Sequence, residues 1–249
     1  LSETFSKKEK RKISIIKPQK GERQKIINHA LENSKNALQR YQNNLLSNKK
    51  NLSLLQKAFE LKKIPKRIEI YDNSHIQGSY AVGAMVVANE EGLDKSEYRK
   101  FNIKNAQTND DFAMMNEVIE RRFKKIKKSK LYDGLKYPDI ILIDGGKGQY
   151  SSTKKALDNL GISDVKIISI AKGEKRNAGR EKFYTDRDKP YLFKPNDPML
   201  FYLQRLRDEA HRFAIGTHKA KRKKEFTKNP LDEIPGIGLK RKKALLNFF

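Results

Sequence analysis

Pro138-Asp-Ile-Ile-Leu-Ile-Asp-Gly-Gly-Lys-Gly-Gln149 decides the fold. Its aliphatic run, Ile140 to Ile143, has no polar alternation, the pattern of a strand buried on both faces of a parallel sheet. Gly145-Gly-Lys-Gly148 makes the turn into a helix that ends near Leu160-Gly161, and residues 165–171 supply a second buried strand. A strand, a crossover helix and a second strand form one parallel unit.

Working toward the N-terminus, Asn109-Asp-Asp111 caps a helix that runs to about Lys128, with Met115, Val118, Ile119 and Phe123 on one face. Before it come three β-like runs, residues 67–71, 80–88 and 97–103, joined through Gly78-Ser79 and Asn89-Glu-Glu-Gly92. A long amphipathic helix over residues 22–60 precedes them, with Ile27, Leu31, Leu38, Tyr41, Leu45, Leu52, Leu55 and Phe59 at helical spacing and a break expected near Ser47-Asn48. Residues 13–16 read as an edge strand. Toward the C-terminus, residues 182–184 and 191–193 predict a short hairpin. Pro198 opens a helix to about Ile215, residues 219–224 form a basic linker, and residues 231–249 are a distinct closing unit.

The order β-β-β-α-β-α-β-α predicts an α/β fold: three antiparallel strands, then parallel βα units, in one mixed sheet flanked by helices. The ribonuclease H fold shares that order. The expected division is 1–222 for the α/β domain (1–64 the first strand and long helix, 65–222 the core) and 223–249 for the linker and a small all-α unit.

Charge narrows the function. Lys and Arg number 55 against 30 Asp and Glu, a formal +25, which points to a polyanionic partner such as nucleic acid. Twelve Phe and ten Tyr argue for a packed core rather than disorder. With no Cys, zinc-thiolate sites, disulfides and cysteine nucleophiles are excluded within the chain. No apolar run approaches the ~20 residues that cross a bilayer. The start at Leu1 rather than Met suggests a piece of a longer, cytoplasmic protein.

Two carboxylates stand at strand ends: Asp72 in Tyr71-Asp-Asn-Ser-His75 and Asp144 in Ile143-Asp-Gly-Gly. Side by side, they would repel unless a cation lay between them, and hard oxygen ligands suit Mg²⁺ or Mn²⁺. Either Asp alone reads more readily as a turn former; the pair, in so basic a chain, reverses that. His211, in Arg207-Asp-Glu-Ala-His-Arg-Phe213, lies beside the buried stripe of its helix and becomes a ligand or general base only if that helix packs against both Asp residues. Asp111 is either an acidic site residue or a cap partner of Asp110. His75 is a weaker candidate. Gly145-Gly-Lys-Gly lacks the spacing of an ATP-binding loop but could admit a DNA phosphate, with Lys147 nearby. Lys147, Lys172, Arg207 and Arg212 flank the proposed site as DNA contacts, Arg207 being the one most expected to serve as a structural support. In Ile234-Pro-Gly-Ile-Gly-Leu-Lys-Arg241, the backbone at Gly236 and Gly238 and the charges of Lys240 and Arg241 suit a phosphate, as in a helix–hairpin–helix motif.

Together these segments resemble the C-terminal half of the UvrC family, the incision subunits of bacterial UvrABC excision nucleases. The resemblance rests on Lys17-Pro-Gln-Lys-Gly-Glu22, Tyr71-Asp-Asn-Ser-His75, Asn109-Asp-Asp-Phe-Ala-Met-Met115, Ile141-Leu-Ile-Asp-Gly-Gly-Lys-Gly-Gln149, Ile170-Ala-Lys-Gly173, Arg207-Asp-Glu-Ala-His-Arg-Phe-Ala214 and the closing hairpin. It implies a ribonuclease H-like endonuclease domain that cuts 5′ to a lesion in double-stranded DNA. Asp72, Asp144 and His211 would surround a divalent metal, Mg²⁺ or Mn²⁺, with Asp111 as a further acidic residue. The family's 3′ nuclease and its UvrB-contacting segment would precede this chain, with UvrA acting upstream. Two readings of other classes remain: a non-catalytic nucleic-acid-binding module, and another nuclease of the same fold (a resolvase or an RNA-cleaving enzyme).

Overall fold

The computed structural model describes residues 2–16, 18–76, 79–107, 110–128, 137–173 and 181–226, together with 234, 238, 241, 244 and 245; the side chains of 75, 76, 79, 80, 128 and 217–226 are not described. Residue contacts separate Leu1–Ser47 from Asn48–Phe249.

The first unit holds helix α1 (Ser2–Glu9) and most of α2 (Gly21–Ala58). Residues 13–16 are not a strand, contrary to the expectation from their apolar pattern. The Ser2 hydroxyl donates to the Ile13 carbonyl, and the Ile13 N–H donates to Ser6 Oγ at 2.8 Å. The backbone groups a strand would need at Ile13 are thus taken by α1. Helix α2 is continuous through Ser47-Asn48, where a break was expected.

Among the described residues the second unit carries seven strands: β1 (Arg67–Ile76), β2 (Ser79–Asn89), β3 (Gly92–Leu93), β4 (Arg99–Asn102), β5 (Ile140–Asp144), β6 (Lys166–Ala171) and β7 (Lys182–Tyr184). They form one sheet in the order β3-β2-β1-β5-β6-β7, with β4 also paired to β2. β1 runs antiparallel to β2 and parallel to β5, β5 is parallel to β6, and β6 is antiparallel to β7. The mixed sheet is as the element order implied. The continuous aliphatic run, Ile140–Ile143, lies in β5, between its two parallel neighbours β1 and β6.

Both faces of that strand are covered. Ile140 and Leu142 pack with Leu52, Leu55 and Phe59, and with Leu200, Leu203 and Leu206 from α5 (Pro198–Phe226). Ile141 and Ile143 face the other way, onto α3 (Asp111–Lys128) and α4 (Lys147–Asn159) through Met115, Val118, Ile119, Phe123, Ala156 and Leu157. Successive side chains of a strand point to opposite faces, so an unbroken aliphatic run is what two covered faces require.

The expected hairpin forms as β7 and a single bridge from Phe183 to Tyr191. Helix α5 continues to Phe226, past the expected end at Ile215, so residues 219–224 are helical rather than a linker. Most of the expected helix–hairpin–helix unit lies outside the described residues, Gly236 and Lys240 included.

Gly83 of β2 fixes how closely α3 approaches the sheet. A Cβ there would lie 2.4 Å from Val118 Cγ2, and Val118 is fully buried. Gly83→Ala should therefore cost about 1–3 kcal/mol of stability through overpacking, read from urea unfolding.

Candidate active site

Strand pairing brings the two carboxylates together. In the parallel ladder Tyr71 is level with Ile143, so the next residues, Asp72 and Asp144, sit side by side. On the other flank Asp144 is level with Ile170 of β6, and Lys172 follows two residues later. His211 arrives from α5, which packs across β1 and β2. Ala210 and Ala214 are fully buried on its inner side, and such small residues let a helix lie close to a sheet.

His211 Nδ1 lies 3.0 Å from Asp72 Oδ2. One ligand atom from each of Asp72, Asp144 and His211 falls within 4.8 Å of the others, the only such group among the described residues. Asp72 is 5% exposed, whereas the His211 side chain is 50% exposed and open to solvent.

Burial and the neighbouring Asp144 push the Asp72 carboxyl up to about 6, against the opposing pull of His211 and Lys172. Asp144 is also raised, chiefly by burial, while Lys172, Arg207 and His211 draw it down. Two desolvated carboxylates, both resisting ionisation and Asp72 the more so for its charged neighbour, form a site that favours a cation. Two oxygens and one imidazole nitrogen within ligand distance fit a divalent metal.

Lys172 lowers both carboxyls. Replacing it by Ala removes that pull, so both should hold their protons to higher pH. The acidic limb of cation binding, measured calorimetrically across pH, should move upward relative to the wild type, because only ionised carboxylates bind metal tightly. An unmoved limb would mean that Lys172 acts elsewhere.

Arg207 donates to Asp208 at 2.8 Å and to buried Glu181 at 3.3 Å, tying α5 to the segment before β7. Arg212 is exposed and paired to Glu209. Lys147 is exposed in the first turn of α4. Asp111 is exposed and outside the three-residue group, but it lines an open cleft with Asp144, Gly145, Gly146, Phe112 and Gln149. Asp110 is the helix cap, accepting from the N–H groups of Phe112 and Ala113. The His75 side chain is not described; Gly238 and Arg241 are exposed.

Three residues at the site had no role in the sequence reading. Gln149 is buried and its Nε2 donates to the Asp111 carbonyl at 3.2 Å, joining the starts of α3 and α4. Glu181 holds both Arg207 and Gln204. Phe112 lines the cleft. Gln149 stood only as the last residue of the glycine-rich stretch, and a lone Glu in a polar segment carries no periodic signal.

A family profile described as "UvrC RNAse H endonuclease domain" matches residues 56–215, and one described as "UvrC Ribonuclease H-like domain" matches residues 1–41. Over its whole length the chain is 51% identical to the UvrABC system protein C of Maricaulis maris and 50% identical to that of Zymomonas mobilis, spanning 40% and 38% of those proteins. It therefore covers about two fifths of the length of these relatives. Among solved structures, the endonuclease V of Streptomyces avermitilis is similar at 11% identity and a TM-score of 0.38, over 62% of this chain and 82% of that one.

Proposed function

Because the chain belongs to the UvrC family, we propose that it is the endonuclease portion of such a protein, making the 5′ incision beside a lesion in double-stranded DNA during nucleotide excision repair. The observation that carries this reading is the convergence of Asp72, Asp144 and His211 from β1, β5 and α5. A divalent cation, Mg²⁺ or Mn²⁺, held by these three would supply Lewis-acid polarisation of water and neutralise charge on the leaving oxygen.

The chain's own residues do the rest. Asp72 and Asp144, once ionised, set the cation between the ends of adjacent strands. With Asp72 ionised, the His211 Nδ1–H donates to Oδ2, leaving Nε2 as the nitrogen that accepts a proton or ligates. Arg207, buffered by Asp208 and Glu181, keeps positive charge near Asp144. Lys147, Lys172 and the start of α4 offer charge and backbone N–H groups to the DNA phosphates. Asp111 sits across the cleft as a further acidic group. Lys240, Arg241, Gly236 and Gly238 contribute sequence-independent phosphate contacts. UvrB, with UvrA acting upstream, supplies damage recognition, and a cytoplasmic location follows from the substrate.

The test is cutting of a damaged duplex by the full-length protein with its partners. The reading expects 5′ cutting with Mg²⁺ or Mn²⁺ and none in chelator. DNA binding without any cutting would leave a binding module in its place, and preferential cutting of an RNA–DNA hybrid would favour an RNA-cleaving enzyme.

A further inference from the structure

Phe112 is a large aromatic residue held in the open at the mouth of the candidate site. It is 53% exposed and lines the cleft shared with Asp144 and Gly146. Isolated exposed aromatics need no explanation. This one is fixed in place from several directions. Its N–H donates to the capping carboxylate of Asp110 at 3.1 Å, and its carbonyl accepts from Ser152 Oγ at 2.8 Å. The ring lies against the first turn of α4, where Gly148 makes room for it: a Cβ at residue 148 would come within 2.4 Å of Phe112 Cε1. One of the glycines in the Gly145-Gly-Lys-Gly148 turn thus serves a ring rather than a phosphate.

We infer that Phe112 packs against the deoxyribose of a nucleotide flanking the scissile phosphate and selects it over ribose; this rests on the endonuclease reading of the site. A phosphodiester held at Asp144 and the start of α4 brings its two sugars to the walls of the same cleft. In a duplex the bases point inward, away from the backbone rim, so an aromatic wall beside the phosphate meets sugar C–H groups. Packing the C2′ methylene on the ring removes apolar surface from water. A 2′-hydroxyl in the same place would lose its water without gaining a partner from the ring. A site of this kind discriminates against an added hydroxyl by roughly tenfold to a hundredfold.

Single-turnover incision by the full-length protein in the reconstituted reaction tests this, using duplexes that are all-deoxy or carry one ribonucleotide on either side of the cut. The wild type should cut the all-deoxy duplex about tenfold faster than one of the two substituted duplexes. Phe112→Ala should slow the all-deoxy reaction by a similar factor and erase the preference while remaining folded, by circular dichroism, at the assay temperature. Phe112→Leu should restore most of both. No preference in the wild type, or an intact preference in Phe112→Ala, would overturn the inference while the Asp144→Asn control still abolishes cutting. Cutting that survives Asp144→Asn would overturn the site itself, and the inference with it.

Discussion

Asp144→Asn and Asp72→Asn should each lower 5′ incision by on the order of 10³-fold or more, because each removes a charged ligand from the cation that polarises water. In the full-length protein the 3′ incision should survive, since the family resemblance implies a separate nuclease domain for that cut. Loss of cutting alone could also reflect misfolding, and the electrostatics separate the two. The Asp72 carboxyl titrates near 6 in the metal-free fold against 3.8 as a free side chain. Its proton therefore stabilises the fold fully below about pH 4, and that stabilisation is lost as pH rises through 6. At neutral pH the ionised group costs on the order of 2–3 kcal/mol, so in chelator Asp72→Asn should melt above the wild type at pH 7–8. The difference should vanish near pH 4. A variant that is inactive and less stable at pH 7.5 would instead mark Asp72 as a structural residue.

Glu69→Gln should cost about 3–5 kcal/mol of folding stability, the range expected when one partner of a buried ionic cluster is removed. Glu69 is fully buried in β1 and accepts from Arg67 Nε at 2.9 Å, from an Arg122 terminal nitrogen at 2.6 Å, and from the Tyr71 hydroxyl at 2.6 Å. The Arg67 and Arg122 side chains are themselves only 10% and 6% exposed. The amide removes the negative charge that faces both guanidinium groups, Arg67 keeping its second ion pair with half-buried Glu97. Replacing Glu69 by Leu and Arg122 by Met together should cost much less than Glu69→Gln alone, because the desolvated charges leave as a pair. Urea unfolding of the three proteins checks this. A loss under about 1 kcal/mol for Glu69→Gln would show that water reaches the cluster. Incision should fall as well, since Asp72 lies three residues along the same strand.

The parallel centre of the sheet was legible in sequence because two covered faces demand largely apolar runs: Ile140–Ile143 is unbroken, and residues 167–170 are interrupted only by Ser169. The positions of Asp72 and Asp144 at strand ends could be read as well. Their adjacency could not, since it depends on β1 pairing with β5 across some seventy residues of chain; likewise His211 waits on the packing of α5. The error at residues 13–16 has the same origin: Ser2 and Ser6 claim the Ile13 backbone, and no local pattern announces that. The Glu69 cluster was invisible for a related reason. Arg67, Glu69 and Tyr71 alternate as solvent-facing residues do, and it is the packing of α3, which lays Met115, Val118, Ile119 and Arg122 over that face, that makes it an interior. The true end of α5 was missed because a run of Lys and Arg suits a solvated helix as well as a linker.

Thermal unfolding of this chain in rising Mn²⁺, beside Asp144→Asn, tests most directly whether Asp72, Asp144 and His211 hold a cation. The wild type should be stabilised saturably, by about 2.7 kcal/mol at a hundred times the dissociation constant, and chelator should reverse it. Asp144→Asn should show no such rise, and His211→Ala a smaller one. An equal rise in the wild type and Asp144→Asn would place the cation elsewhere and contradict the assignment of the site.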